Sequence, residues 1–260
     1  MRTPASLPVW TGPSRRREPR PERKTPAGER PPYLRIVVPS PSPEIEEGAD
    51  SRARRALNVA VALLGIVLTF PLWVVIAALI KLTSRGPVFH VQTRVGVCTR
   101  ATGPSRHDPR RKRDLGGRPF RIYKFRTMYL DAEKETGAVW ARPDDPRITP
   151  VGGFLRKFRL DELPQLVNVL KGDMNVVGPR PERPTIFSTL REAIPNYQLR
   201  QKTRPGITGL AQVRLNYDST LDDVHRKVES DLEYIRQQSL WRDLKIMIAT
   251  IPVILLRKGW

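Results

Sequence analysis

The sequence predicts an α/β domain, helix-rich with a small sheet, that is held on a membrane by a re-entrant helix hairpin and by amphipathic interfacial helices. Three observations predict it. The run Ala56 to Ile80 contains no charged residue, and about 25 residues at roughly 1.5 Å each make a helix of about 37 Å, longer than a hydrocarbon core. Phe120 to Met128 alternates apolar and basic residues, the period of a strand. Leu163, Leu166, Val167 and Leu170 recur at the spacing of an amphipathic helix, and Lys171-Gly172 supplies its stop.

The chain of 260 residues carries a formal charge of +20, so its surface is drawn to phosphates, whether of a nucleotide, a lipid or a nucleic acid. Nucleic acid is the poorest of these partners, because aromatic residues do not interleave with the basic runs and no helix-turn-helix or zinc pattern occurs. A single cysteine, Cys98, rules out an intramolecular disulfide, and His90, His107 and His225 are too scattered for a zinc site. A reducing, cytoplasm-facing location fits. Residues 1–50 contain Pro and Arg where a secretory signal needs an apolar stretch, and read as a disordered basic tail.

Residues 51–83 form the predicted membrane unit. Pro71, near its middle, removes a backbone donor and clashes with the preceding turn, so a kink or break is expected, with Thr69 able to satisfy a freed carbonyl. Arg52, Arg54 and Arg55 precede the run, and Lys81 and Arg85 follow it. Basic residues on both flanks favour a hairpin that returns to the same face; a kinked single span is the alternative. Residues 84–260 then make up the domain proper. Ser84 to Phe89 leads from a turn into a strand, residues 97–117 form a basic surface insertion, and Leu240 to Leu256 forms an interfacial helix or one packed on the core.

Lys124 and Arg126 are candidate phosphate ligands, or else solvated charges on an edge strand. Asp161 is expected to cap the helix that follows, with Pro164 in its first turn. Beside Arg156, Lys157 and Arg159 its carboxylate is expected to stay ionised, as a nucleophile toward phosphorus requires. Glu162 is suited to Mg2+, which takes one or two carboxylates plus substrate phosphates. The residue pattern alone equally describes an ordinary cap followed by a first-turn Glu.

Longer strings go further. Leu160-Asp-Glu-Leu-Pro-Gln-Leu166, Asn168-Val-Leu-Lys-Gly-Asp-Met174 and Val177-Gly-Pro-Arg-Pro181 resemble the bacterial sugar transferase domain of monotopic phosphoglycosyl transferases. So do Gly86-Pro-Val-Phe89, Tyr123-Lys-Phe-Arg-Thr-Met128 and the stretch from Arg204 to Gln212. The resemblance implies a re-entrant helix broken at Pro71, and a sugar-1-phosphate passed from a UDP-sugar to polyprenyl (undecaprenyl) phosphate with release of UMP. It assigns Asp161 as nucleophile and Glu162 as Mg2+ ligand. Phosphate and nucleotide contacts would fall to Arg156, Lys124, Arg126, Arg204 and the turn Pro179-Arg180-Pro181. It further implies the bacterial inner membrane, its lipids as partners, and a catalytic domain facing the cytoplasm. Oligomeric state is left open, a homodimer being one form. Sugar preference is expected from residues between Pro181 and Pro205, including Glu182, Arg183 and Tyr197. Two departures stand out: Asn58 occupies a position that is usually acidic, and the insertion 97–117, with Arg110-Arg-Lys-Arg113, interrupts a usually direct connection.

Overall fold

A computed structural model describes residues 51–98, 116–132, 145–215 and 221–255. The tail 1–50 and nearly all of the insertion, Arg110 to Arg113 included, lie outside the described residues.

Helix α1, Arg52–Thr83, is capped by Ser51, whose side chain accepts from the Arg54 amide. Its contacts with the domain follow one stripe. Arg54, Asn58 and Ala62 are buried; a Cβ on Gly65 would lie 3.0 Å from Leu166; Trp73 packs edge-on against Phe125 at 5.7 Å; and Ile76 and Ile80 are buried. Steps of three or four residues keep these side chains on one face of a helix. The other face is apolar and bare, with Val67 and Leu68 each 69% exposed and Leu82 83% exposed. Pro71 lies inside a run that is helical throughout, so the helix does not break at the proline as the sequence leads one to expect. The Thr69 hydroxyl donates to Gly65 O at 2.6 Å rather than to Val67, whose carbonyl lies four residues before the proline.

Strands β1 (Phe89–Val95) and β2 (Pro119–Phe125) pair antiparallel. Phe120 and Ile122 face inward as the alternation predicts, and Lys124 shares their side. Helix α2 (Pro150–Lys157) is capped by Thr149. It starts so close to Thr127 that a Cβ on Gly152 would sit 2.0 Å from that residue's carbonyl oxygen. Helix α3 (Gln165–Lys171) ends at Gly172 with φ 83°, the left-handed stop anticipated from the sequence. Asn168 fastens α3 to β2, accepting from the Tyr123 amide at 3.1 Å and donating to Arg121 O at 2.6 Å. Arg55 caps the far end of α3 by donating to Val169 O and Leu170 O.

Short strands β3 (Asn175–Val177) and β4 (Gly206–Thr208) pair in parallel. They cross tightly: a Cβ on Gly178 would lie 2.4 Å from Arg204 O, which is why glycines stand in both strings. Helices α4 (Pro184–Ala193), α5 (Leu210–Arg214), α6 (Leu221–Arg236) and α7 (Leu240–Leu255) complete the fold. The main core gathers Ala62, Ile122, Val169, Met174, Val177, Phe187, Leu232 and Ile246. Ile76, Ile80, Phe125 and Leu155 form a second cluster beneath the end of α1. Helix α7 packs one side on the core and leaves the other side bare. Asp243 and Ile246 are buried, while Trp241, Ile248, Ile251 and Leu255 are exposed.

Candidate active site

The segment from α2 to α3 corrects one expectation. Asp161 does not cap an α-helix; it sits in the 3-10 turn Leu160–Glu162, and α3 begins only after Pro164. The proline is the cause. Without an N–H it cannot donate to Leu160, so bonding there stays three residues apart, Glu162 to Arg159 O and Leu163 to Leu160 O. Arg159 precedes the turn with φ 53°. The left-handed region is costly for a residue with a side chain, and this one reverses the chain so that Asp161 and Glu162 both point inward, 7% and 6% exposed.

The two carboxylates are held differently. Glu162 is gripped: Arg180 Nη2 lies 2.5 Å and Lys124 Nζ 2.9 Å from its Oε1, and Arg180 Nη1 lies 3.3 Å from Oε2. Burial alone would raise the Glu162 carboxyl, but Arg180 and Lys124 hold it well below the usual range. Asp161 Oδ2 is 4.0 Å from Lys124 Nζ. Burial pushes its carboxyl up, Glu162 adds to that, and Lys124 opposes it. The rise is a further departure from the sequence expectation, since burial costs the charge more than the nearby cations return.

Arg180 is held in place through its backbone. Arg200 donates to Arg180 O at 3.1 Å while pairing with Asp231 at 2.7 Å, and Arg94 donates to Pro181 O at 3.0 Å. Burial lowers the Arg94 pKa to about 10. Pro179 and Pro181 line a small cleft with Arg94's neighbour Val95 and with Glu182 and Arg200, so the two prolines fix the backbone and the guanidinium between them meets Glu162.

The sequence candidates separate on this geometry. Lys124, Arg180 and the carboxylate pair come together. Arg156 donates to Thr127 Oγ1 at 2.9 Å and lies near enough to lower the Asp161 carboxyl. Arg126 does not join the cluster: its guanidinium donates to Arg85 O and Ser84 O, each at 2.8 Å, and clamps the chain as it leaves α1. Arg204 lines a separate cavity of 740 Å3 with Arg52 and Arg55. Tyr197 is a core residue, 1% exposed, packed on Phe187 at 5.1 Å, so it cannot read a sugar. Arg159 and Gln212 also belong to the cluster, the first expected only as a neighbouring charge and the second not expected at all. Arg159 acts on both carboxylates, and Gln212 Oε1 accepts from Arg180 at 3.2 Å. Adjacency to the pair was a signal for Arg159; Gln212 arrives from α5, and no local pattern marks it.

For Mg2+, the donor set fits in one way only. Among the described residues no three His, Cys, Asp or Glu side chains converge, and Mg2+ seldom uses such a cage. Asp161 and Glu162 supply two carboxylates, and phosphate oxygens of a substrate would have to supply other ligands. Glu162 is already paired with Arg180 and Lys124, so a cation is best accommodated when it arrives with an anion.

The sequence model of the bacterial sugar transferase family matches residues 49–257. The chain is 44% identical over 202 residues to the UDP-N-acetylgalactosamine-undecaprenyl-phosphate N-acetylgalactosaminephosphotransferase of Aeromonas hydrophila, covering 78% of this chain and 43% of that one. It is 39% identical over 206 residues to the UDP-glucose:undecaprenyl-phosphate glucose-1-phosphate transferase of Escherichia coli, covering 78% and 40%. A protein of the same description from Caulobacter vibrioides is 39% identical over 226 residues, covering 86% and 78%. The chain thus spans about two fifths of the first two relatives and most of the third. With the carboxylate pair, its cationic grip and the long apolar helix in place, the chain belongs to the bacterial sugar transferase family.

Proposed function

We propose that the protein transfers a sugar-1-phosphate from a UDP-sugar to undecaprenyl phosphate, releasing UMP, through a covalent phosphosugar on Asp161. The observation that carries the reading is the unequal grip on two adjacent buried carboxylates. Glu162 is tied down by Arg180 and Lys124, whereas Asp161 has its nearest recorded cation at 4.0 Å. A bound nucleophile must be oriented yet free to form a bond, and Asp161 is the one with that freedom.

In this scheme an Asp161 carboxylate oxygen attacks the sugar-bearing phosphorus, the anhydride bond to the other phosphate breaks, and UMP leaves with that bond's electron pair. A phosphate oxygen of the lipid acceptor then attacks the same phosphorus, the acyl-phosphate bond breaks, and Asp161 is restored as carboxylate. Lys124, Arg156, Arg159 and Arg180 supply positive charge where the diphosphate is bound and where charge develops on leaving. Bound Mg2+ would neutralise further phosphate oxygens, with Glu162 as its protein ligand.

A monotopic anchor at the cytoplasmic face of the inner membrane goes with this reading. It is supported by the way both ends of α1 pack on one body, Arg54 against Asp243 and Ile80 in the cluster with Phe125 and Leu155. A perpendicular span would carry one end away from the domain. The bare apolar face of α1 and that of α7 would share the lipid.

The test is UMP release by membranes containing the full chain, supplied with Mg2+, undecaprenyl phosphate and a panel of UDP-sugars. Release with at least one sugar is expected, with a single equivalent of UMP released when the lipid is left out. No release with any sugar would leave a non-catalytic role in polysaccharide assembly as the better reading. The relatives divide between N-acetylgalactosamine and glucose in their descriptions, so the panel must contain both.

A further inference from the structure

A cavity of about 140 Å3 opens beside the carboxylate pair, between α3, α5 and α7. One end is ionic, lined by Arg159 and Glu162; the remaining wall is largely apolar, with Leu163, Leu166, Ile207 and Val253. At ~30 Å3 for a group the size of water, it holds about five such groups, a short length of hydrocarbon rather than a nucleoside. A uridine or a sugar pressed into that wall would lose hydrogen bonds it could not replace.

The apolar end borders the two helices that carry bare apolar faces. Leu166 reaches α1 at Gly65, and α7, which supplies Val253, exposes Ile248, Ile251 and Leu255. The ionic end is strained into place: Arg159, at φ 53°, sits immediately before the turn that carries Asp161. Gln212 adds a donor beside it, since its Oε1 accepts from Arg180 while its buried Nε2 has no hydrogen-bond partner.

From this juxtaposition we infer that the cavity seats the first isoprene unit of the lipid acceptor, and that Arg159 holds the acceptor's phosphate next to Asp161. The inference rests on the transfer reading above and extends it to a site for the second half of the reaction. An anionic head on an unsaturated tail matches both ends at once. The cavity beside Arg52, Arg55 and Arg204 also joins cations to an apolar wall, but Arg55 is spent on the carbonyls that end α3, and no carboxylate pair borders it.

The test uses the full chain in nanodiscs and undecaprenyl phosphate carrying a diazirine on its first isoprene unit. Photolabelling is expected on peptides containing Leu166 or Val253, competed by unlabelled undecaprenyl phosphate and not by excess phosphatidylglycerol. Label on the stretch from Arg52 to Leu63, or equal competition by phosphatidylglycerol, would overturn the assignment. Val253→Trp, which fills the cavity, is expected to raise the KM for undecaprenyl phosphate about tenfold with the KM for UDP-sugar little changed. Ile254→Trp provides a second variant on the same apolar wall, with the same split expected. An unchanged acceptor KM in both would sink the proposal. If the wild type labels as expected yet releases no UMP with any sugar, the cavity assignment stands and the transfer reading fails.

Discussion

Two buried clusters of charge in this molecule use the same residue types to opposite ends. Where α1 meets the domain, Arg54 Nε lies 2.5 Å from Asp243 Oδ2, and Tyr234 donates to Asp243 Oδ1 at 2.8 Å. One cation meets one anion, and the pair is 3% and 0% exposed. Around Asp161 and Glu162 the balance is different, because Lys124, Arg156, Arg159 and Arg180 act on two carboxylates. A matched pair closes on itself and joins two elements. A surplus of cations around two buried carboxylates favours an added anion, so the second cluster has room for an anionic ligand that the first has not.

The sharpest way to break that comparison is Asp161→Asn, which keeps the shape and removes the nucleophile. UMP release is expected to fall by about a thousandfold or more with folding intact; near-normal turnover with every active sugar would end the covalent scheme. Asp243→Ala tests the matched cluster and leaves Arg54 buried without its carboxylate. It should cost about 3–5 kcal/mol of stability, read as a lower midpoint of thermal aggregation in detergent, and Arg54→Met in the same chain should recover much of it. If the single variant loses turnover while melting normally, the two clusters are not as separate as drawn.

Arg180→Lys probes the grip on Glu162. A lysine cannot make the two-pronged contact, and kcat is expected to fall about 10- to 100-fold. The smallest effect concerns pH. Asp161 must be ionised to attack, and its pKa is raised by burial, so the UMP burst without acceptor should fade as pH drops through a value above the ~3.9 of a free aspartate. Lys124 lowers that value; Lys124→Met should therefore move the acid limb to higher pH. A burst rate that stays flat down to about pH 4 would contradict the raised carboxyl.

What could be read ahead of the structure was whatever is written in neighbouring residues. The apolar run and its length, the alternation that makes β2, and the glycine that stops α3 are local signals and lie where they were expected. Asp161 is not the expected cap, because a helix-like spacing does not reveal that Pro164 postpones the α-helix by a turn. Arg126 and Arg204 looked like phosphate ligands by type and by neighbourhood in motif strings. The direction of Arg126 depends on what packs opposite, Ser84 and Arg85, and Arg204 lines a different cavity. Asn58, odd as a replacement for an acid, proves well used. It donates to Arg54 O at 2.8 Å and accepts from the Val176 amide at 2.6 Å, while Arg54 takes its carboxylate from Asp243, far along the chain.

By itself, then, the sequence determined the membrane-seeking helix, the short elements around it and the carboxylate pair, because hydropathy, periodicity and proline chemistry act over a few residues. Only the tertiary structure decided which side chains gather at that pair. Lys124, Arg180 and Gln212 come from β2, the turn after β3, and α5, and are brought within reach by the Gly178 crossing and the Asn168 bonds. Charge at close range depends on distance in space, and distance in space is set by packing between segments remote in the chain.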